Sequence, residues 1–170
     1  ALTKVGGPKR YSPNAYGQGT LLGEAQWQWL EEELKTSKAQ FNVLVSSIQV
    51  LSNQHGYEAW GNMPHERERL VNLIKNTKAK GVFIVSGDRH ISEFSKMEAE
   101  GMKYPIIDFT SSGMTHSAEN NIWEENPYRV GTLVNQKSFG LLEFNFETNE
   151  VTMKMIGDGN VVLAELKQKF

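Results

Sequence analysis

Apolar and polar positions change period several times along the 170-residue chain, and each change marks an element. Leu22, Ala25, Trp29, Leu30 and Leu34 recur near helical spacing, with Glu31, Glu32 and Lys35 opposite them. This predicts an amphipathic helix over Leu22–Leu34, with Trp27 at the edge of the stripe. Phe41–Leu51 is apolar and β-branched with a polar tail, the pattern of a buried strand. Residues 52–64 interleave aromatic and polar side chains and read as a loop. A second helix is expected from about Pro64 to Lys78. Asn62 or Met63 caps it, Pro64 sits in its first turn, and Gly81 stops it. Leu70, Leu73, Ile74 and Thr77 form its inward stripe. Val82–Ser86 is again apolar, so the order strand, helix, strand predicts a βαβ unit with parallel pairing.

The second half of the chain has a different rhythm. Short strands are expected at Glu93–Ala99 and Tyr104–Thr110. Residues 114–137 form a long polar excursion that carries His116, Trp123, Tyr128 and Arg129. Phe139–Glu147, Val151–Ile156 and Val161–Leu166 then alternate as strands, with turns at 148–150 and 157–160. Gly157-Asp158-Gly159-Asn160 lacks the alternating carboxylates and the distant Glu of a calcium loop, so it reads as a hairpin turn. The expected fold class is α/β, with a βαβ unit followed by an antiparallel β-meander.

Composition adds a few exclusions. The length suits one domain with a real core, and 39% hydrophobic residues against 22% charged is ordinary for a globular chain. A net charge of −2 without a Lys/Arg run builds no nucleic-acid surface. No apolar run reaches the length of about 18 residues that a membrane span needs. Cysteine is absent, which excludes disulfides and thiolate ligands within the chain. The first residue is Ala1, and residues 1–20 are rich in Gly, Pro, Ser, Asn and Tyr without an apolar period. They read as an irregular connecting loop, and the chain is expected to be part of a larger protein.

The chemistry concentrates after the strand Val82–Ser86, in Gly87-Asp88-Arg89-His90. Residues two apart in extended backbone project from one face, so Asp88 and His90 can converge just beyond the strand. A carboxylate oxygen and an imidazole nitrogen suit a metal ion, and the carboxyl ends of strands are where α/β proteins place their sites. The alternative is a turn in which Asp88 and His90 are ordinary polar residues. His116 follows another strand end on a Gly-containing loop and is either functional or a hydrogen-bonded loop histidine. His55 lies in the aromatic loop, where Glu58 and Trp60 offer a carboxylate and an indole to a cleft; Trp60 equally suits covering the sheet edge. His65 reads as a solvated residue of the second helix, and Arg67 and Arg69 read as surface charges, with Arg67 also able to hold a loop carboxylate. No phosphate-binding P-loop and no nucleophile-elbow serine is present.

Three segments taken together resemble the C-terminal half of the alkaline phosphatase D-like (PhoD-like) metallophosphatases. The first is Leu22-Gly23-Glu24-x-Gln26-x-x-Trp29-Leu30-x-x-x-Leu34 with Phe41–Val50 after it. The second is Glu58-x-Trp60 with Pro64-x-x-Arg67. The third is Ser86-Gly87-Asp88-Arg89-His90 with Phe109–His116 downstream. Their order and spacing over residues 20–117 carry the resemblance, and the meander is compatible with it. It implies a metallophosphoesterase-like layered sandwich of two mixed sheets between helices, and hydrolysis of phosphate monoesters or diesters. It implies a site of two or three metals, with Asp88 and His90 among the ligands. The metals implied are calcium and iron, with manganese or zinc used by related enzymes. Arg89 and His116 would contact the phosphate of the substrate. Residues 1–170 would be the C-terminal part of one domain whose N-terminal half supplies the remaining ligands as a partner. This chain alone would be inactive. Many members are exported, which implies a periplasmic or secreted location. The competing reading is a non-catalytic α/β interaction or structural module.

Overall fold

A computed structural model of the chain describes residues 3–4, 11–98, 100–119 and 124–170. Ala1, Ala99 and Trp123 lie outside the described residues, as do residues 2 and 5–10 of the stretch read as an N-terminal loop. The elements run β1 (Thr3–Lys4), β2 (Tyr11–Ser12), α1 (Glu24–Thr36), β3 (Asn42–Ser46), α2 (Pro64–Asn76), β4 (Val82–Ser86), β5 (Ser92–Met97), β6 (Ile106–Ser111), β7 (Arg129–Val134), β8 (Ser138–Asn145), β9 (Glu150–Gly157) and β10 (Val162–Lys169). One sheet has five strands in the order β3-β4-β6-β5-β7, and a second has three in the order β10-β9-β8. In the first, β3, β4 and β6 are parallel, while β5 runs antiparallel to both β6 and β7. The second is antiparallel throughout, where the resemblance implied two mixed sheets.

The βαβ unit forms as the pattern predicts. β3 and β4 pair in register from Asn42↔Val82 to Ser46↔Ser86, with α2 between them in the chain. Both helices lie on one face of the five-stranded sheet. There Trp27, Leu30 and Leu34 of α1 and Leu70 and Ile74 of α2 bury against Val82, Ile84 and Ile106. The other face packs on the meander through Phe83, Phe94, Ile107 and Phe109 against Val151, Met153 and Met155. The described residues thus stack as helices, mixed sheet and antiparallel sheet, a layered α/β sandwich. No helix among them is long and apolar enough to cross a membrane.

Four details differ from the sequence reading. The inward tryptophan of α1 is Trp27, 1% exposed, whereas Trp29 is 61% exposed and Ala25 also faces out. Trp27 is held inward because its Nε1–H donates to Glu66 at 3.1 Å while the Arg69 guanidinium lies 4.5 Å over its ring. Secondly, β3 stops at Ser46 instead of running to Leu51. Val50 and Leu51 are still completely buried, but their N–H groups donate to Asp108 and their carbonyls accept from Arg67. Apolar residues whose backbone is satisfied by side chains need no strand ladder. Thirdly, the polar excursion contains β7, paired to β5; Gly131, at φ 74°, interrupts its apolar pattern. Finally, β1 and β2 pair across what reads as loop. The turn at 157–160 is the expected hairpin connection, with Gly157 N–H donating to Val161 C=O at 2.8 Å.

Glu66 ties the chain before α1 to α2. Its carboxylate, on a residue only 5% exposed, accepts from Leu21 N–H, Leu22 N–H, Thr20 Oγ1 and Trp27 Nε1. Burial alone would raise its pKa, but these donors outweigh burial and hold it below the ordinary 4.5. A depressed carboxyl pKa contributes stability above the unfolded value and loses it as pH falls through the folded one. Glu66→Ala should therefore cost about 3 kcal/mol in urea denaturation near neutral pH, because several buried donors lose a charged acceptor. Glu66→Gln should flatten the loss of stability that the wild type shows below pH 4.5.

Candidate functional site

Asp88 and His90 stand at the carboxyl end of β4, on the connection that carries the chain over β6 to β5. Both are exposed, and both adopt left-handed backbone, at φ 74° and 55°. A non-glycine residue in that region costs on the order of 1 kcal/mol or more, so two in one tripeptide require a surrounding structure that enforces them. The loop after β6 supplies part of it. His90 N–H donates to Ser112 Oγ at 2.9 Å, Ala118 N–H donates to His90 C=O at 2.8 Å, and Ser112 N–H donates to Ile91 C=O at 3.1 Å.

The same loop brings His116 to His90. Their ring centroids lie 4.7 Å apart in an edge-to-face arrangement, and Nδ1 of His116 meets Thr115 Oγ1 at 2.9 Å. Two imidazoles therefore meet at one exposed rim, with the exposed Asp88 two residues from His90 on the same connection. They are the right donor types for part of a metal's coordination sphere. Among the described residues, no three His, Asp or Glu side chains form a group that could hold a metal by themselves.

Arg89, between the two, points elsewhere. Its side chain is only 10% exposed, its guanidinium carbon lies 3.9 Å from the centroid of the Tyr57 ring, and it is ion-paired with Glu124. Burial pulls its pKa down from the usual arginine value, while Tyr57 and the Asp88 charge oppose that shift. A phosphate contact by Arg89, as the sequence suggested, would require it to leave both partners.

The three cleft candidates separate. Trp60 is 6% exposed, sets its ring edge-to-face on Trp27 at 6.0 Å, and donates Nε1–H to Ser46 Oγ at 3.0 Å. It packs in the core beneath the end of β3. His55 is buried, stacks on Tyr57 at 6.0 Å, and accepts Tyr57 N–H at Nδ1. Its Nε2 meets no hydrogen-bond partner among the described residues. Glu58 is half-buried and engaged with its surroundings. His65, read as solvated, instead binds the backbone of the N-terminal loop at Gly17 and Gly19. Arg67 holds the carbonyls of Val50 and Leu51, and Arg69 pairs with Glu24 and Glu31.

Beneath the rim lies a buried polar network that sequence reading missed. Asp108, fully buried, accepts from Ser86 Oγ at 2.6 Å and from the N–H groups of Val50 and Leu51 at 2.8 and 2.9 Å. Burial pushes its carboxyl pKa upward against these donors, and the charge of Glu93 adds to the rise. Gln49 Nε2 bridges Glu93 and Thr110, while Glu93 takes Arg129 Nε at 2.6 Å and Asn126 Nδ2 at 2.9 Å. The available signal was a carboxylate inside an apolar run, Ile106-Ile107-Asp108-Phe109. On the opposite face of the sheet, an open trough of about 450 Å³ runs between Val45, Val85 and Phe109 on one side and Phe139 and Leu142 on the other, reaching Gly87.

A sequence model described as "PhoD-like phosphatase" matches residues 7–155. The chain belongs to the PhoD-like phosphatase family. Alkaline phosphatase D of Bacillus subtilis (strain 168) is 30% identical over 129 residues, which is 64% of this chain and 22% of that protein. The solved structure of PhoD superposes with a TM-score of 0.67 at 23% identity, covering 88% of this chain and 34% of that one. That likeness concerns the fold. The chain spans about a fifth of the curated relative it matches and a third of the solved PhoD chain.

His55 supplies a direct check on this site's geometry. Burial first, then the Arg89 charge, lowers its pKa from 6.5 to about 4. Its ring should stay neutral in the folded protein through pH 5, and a ¹⁵N-detected histidine titration should place its midpoint near pH 4. A midpoint at 6 or above would put His55 in solvent, away from Arg89. Because the folded pKa is depressed, the stability linked to His55 is present above the unfolded value of 6.5 and declines as pH falls from there towards 4.

Proposed function

We propose that the full-length polypeptide carrying this chain is a metal-dependent hydrolase of phosphate monoesters or diesters, and that this chain supplies part of its metal site. The observation that carries the reading is the rim at the end of β4 and β6, where the His90 and His116 rings meet and Asp88 and His90 are exposed on left-handed backbone. Family membership supports the reaction class.

In this reading Asp88 and His90 are metal ligands and His116 contacts a phosphate oxygen. The exposure of all three supports access by a substrate. A bound metal would supply an acidified water and positive charge opposite the phosphoryl oxygens. Imidazole nitrogen suits iron, manganese or zinc, whereas calcium takes oxygen ligands and would lean on carboxylates such as Asp88. The remaining ligands come from the rest of the domain. The surface supports this: β3 is an edge strand with Val45 82% exposed, and the trough beside it opens next to Gly87. Strands from the other part of the domain would cover that edge and bring their ligands to the rim.

The test is elemental mass spectrometry on the dialysed full-length polypeptide, wild type beside Asp88→Ala/His90→Ala, with p-nitrophenyl phosphate and its bis-ester as substrates. The expected outcome is stoichiometric metal in the wild type, lost in the double variant. Hydrolysis should fall by at least ~10²-fold, the scale of removing one electrostatic stabiliser from an active site. The melting temperature should stay the same. Equal metal content and equal turnover in both proteins would remove Asp88 and His90 from the site. A full-length protein with neither metal nor turnover would leave the non-catalytic module.

A further inference from the structure

Three separate segments meet at Arg89. Tyr57 comes from the loop after β3, Arg89 from the connection between β4 and β5, and Glu124 from the segment before β7. The Arg89 and Glu124 side chains are 10% and 8% exposed, so this is a nearly dry ion pair closed on one side by an aromatic face. Its neighbours in sequence behave in the opposite way: Asp88 and His90 are exposed and left-handed. A planar guanidinium with a ring on its face and a carboxylate at its edge has little freedom to rotate.

We propose that Arg89 is a positioning residue: gripped between Tyr57 and Glu124, it anchors the connection inward and so fixes Asp88 and His90 in the left-handed backbone that presents them at the rim. This builds on the metallohydrolase reading and gives Arg89 a role other than phosphate contact. The grip acts through the backbone. Pulling residue 89 inward leaves residues 88 and 90 on the outer side of the turn, where the loop after β6 bonds His90 at both its N–H and its C=O. Glu124 and Tyr57 are then as important to the site as Arg89.

The full-length polypeptide is compared as wild type, Arg89→Ala, Arg89→Lys, Tyr57→Leu, Glu124→Gln and the Arg89→Ala/Glu124→Gln pair. Two readouts are used. One is hydrogen exchange at the Ala118 amide, which bonds His90 C=O at 2.8 Å. The other is the split between kcat and KM for p-nitrophenyl phosphate. Tyr57→Leu and Glu124→Gln should each speed Ala118 exchange and lower kcat by roughly tenfold or more, with KM within about twofold, as expected when reacting groups are misaligned without loss of a substrate contact. The pair should be no worse than Arg89→Ala alone, because both changes break the same grip. Arg89→Lys keeps the charge but not the planar fork, and should show the same signature if Arg89→Ala fails to fold. Unchanged Ala118 exchange in Tyr57→Leu and Glu124→Gln would overturn the proposal. So would an Arg89 variant that raises KM and weakens inhibition by inorganic phosphate at constant kcat. If the wild type hydrolyses nothing, the metallohydrolase reading falls, and the exchange measurement still decides whether the grip exists.

Discussion

A carboxylate that no water reaches governs this sandwich. Asp108 sits in the middle of an apolar strand and takes the N–H groups of Val50 and Leu51, which lets the chain leave β3 at Ser46 and still bury both residues. Arg67 takes the matching carbonyls from the other side. The strand is therefore short, and the start of the loop after it is tied beneath the sheet's end by these bonds. Ser86, the last residue of β4, donates to the same Asp108, so the segment that leads into Asp88 and His90 is fixed by the group that shapes its neighbour. A buried acceptor of this kind is costly unless satisfied, and here three donors satisfy it.

The arrangement divides the sheet's helix-side face into two zones. Val82, Ile84 and Ile106 meet α1 and α2, and the contact there is apolar. Further along the same strands come Ser86, Asp108 and Thr110, with Glu93 of β5 beside them, and the cover there is the loop with Gln49 together with Arg129 and Asn126. The change from oil to polar network occurs within one strand length, directly below the rim that carries His90 and His116. Hydrogen-bonded polar networks restrict geometry, which suits a place where side chains must be presented accurately.

The periodic elements were legible because their patterns are local. Both helices, the parallel β3–β4 pair and the meander follow from spacing alone, and the Gly-Asp-x-His end of β4 stood out for its residue types. What stayed hidden depends on partners distant in sequence. Trp27 and Trp29 lie about 200° apart on a helical wheel; Trp27 shares the face of Leu30 and Leu34, and Glu66 and Arg69 on another helix close around it there. The length of β3 depends on Asp108, 58 positions from Val50. Arg89 looked like an outward cation because nothing adjacent to it in the chain shows that Tyr57 and Glu124 close around it. β7 was obscured by Gly131 and by the polar residues before it.

The bare flank of β3 has a different kind of consequence. A parallel edge with valines projecting every second residue is a reading frame: it accepts a neighbour in one register and tolerates many strangers badly. A lysine in place of Val45 would guard the edge in the usual way and make this segment more self-sufficient in water. It would also spoil the surface against which a neighbouring strand can seat. Solubility of the chain as it stands and readiness of the edge for a neighbouring strand thus pull this one position in opposite directions.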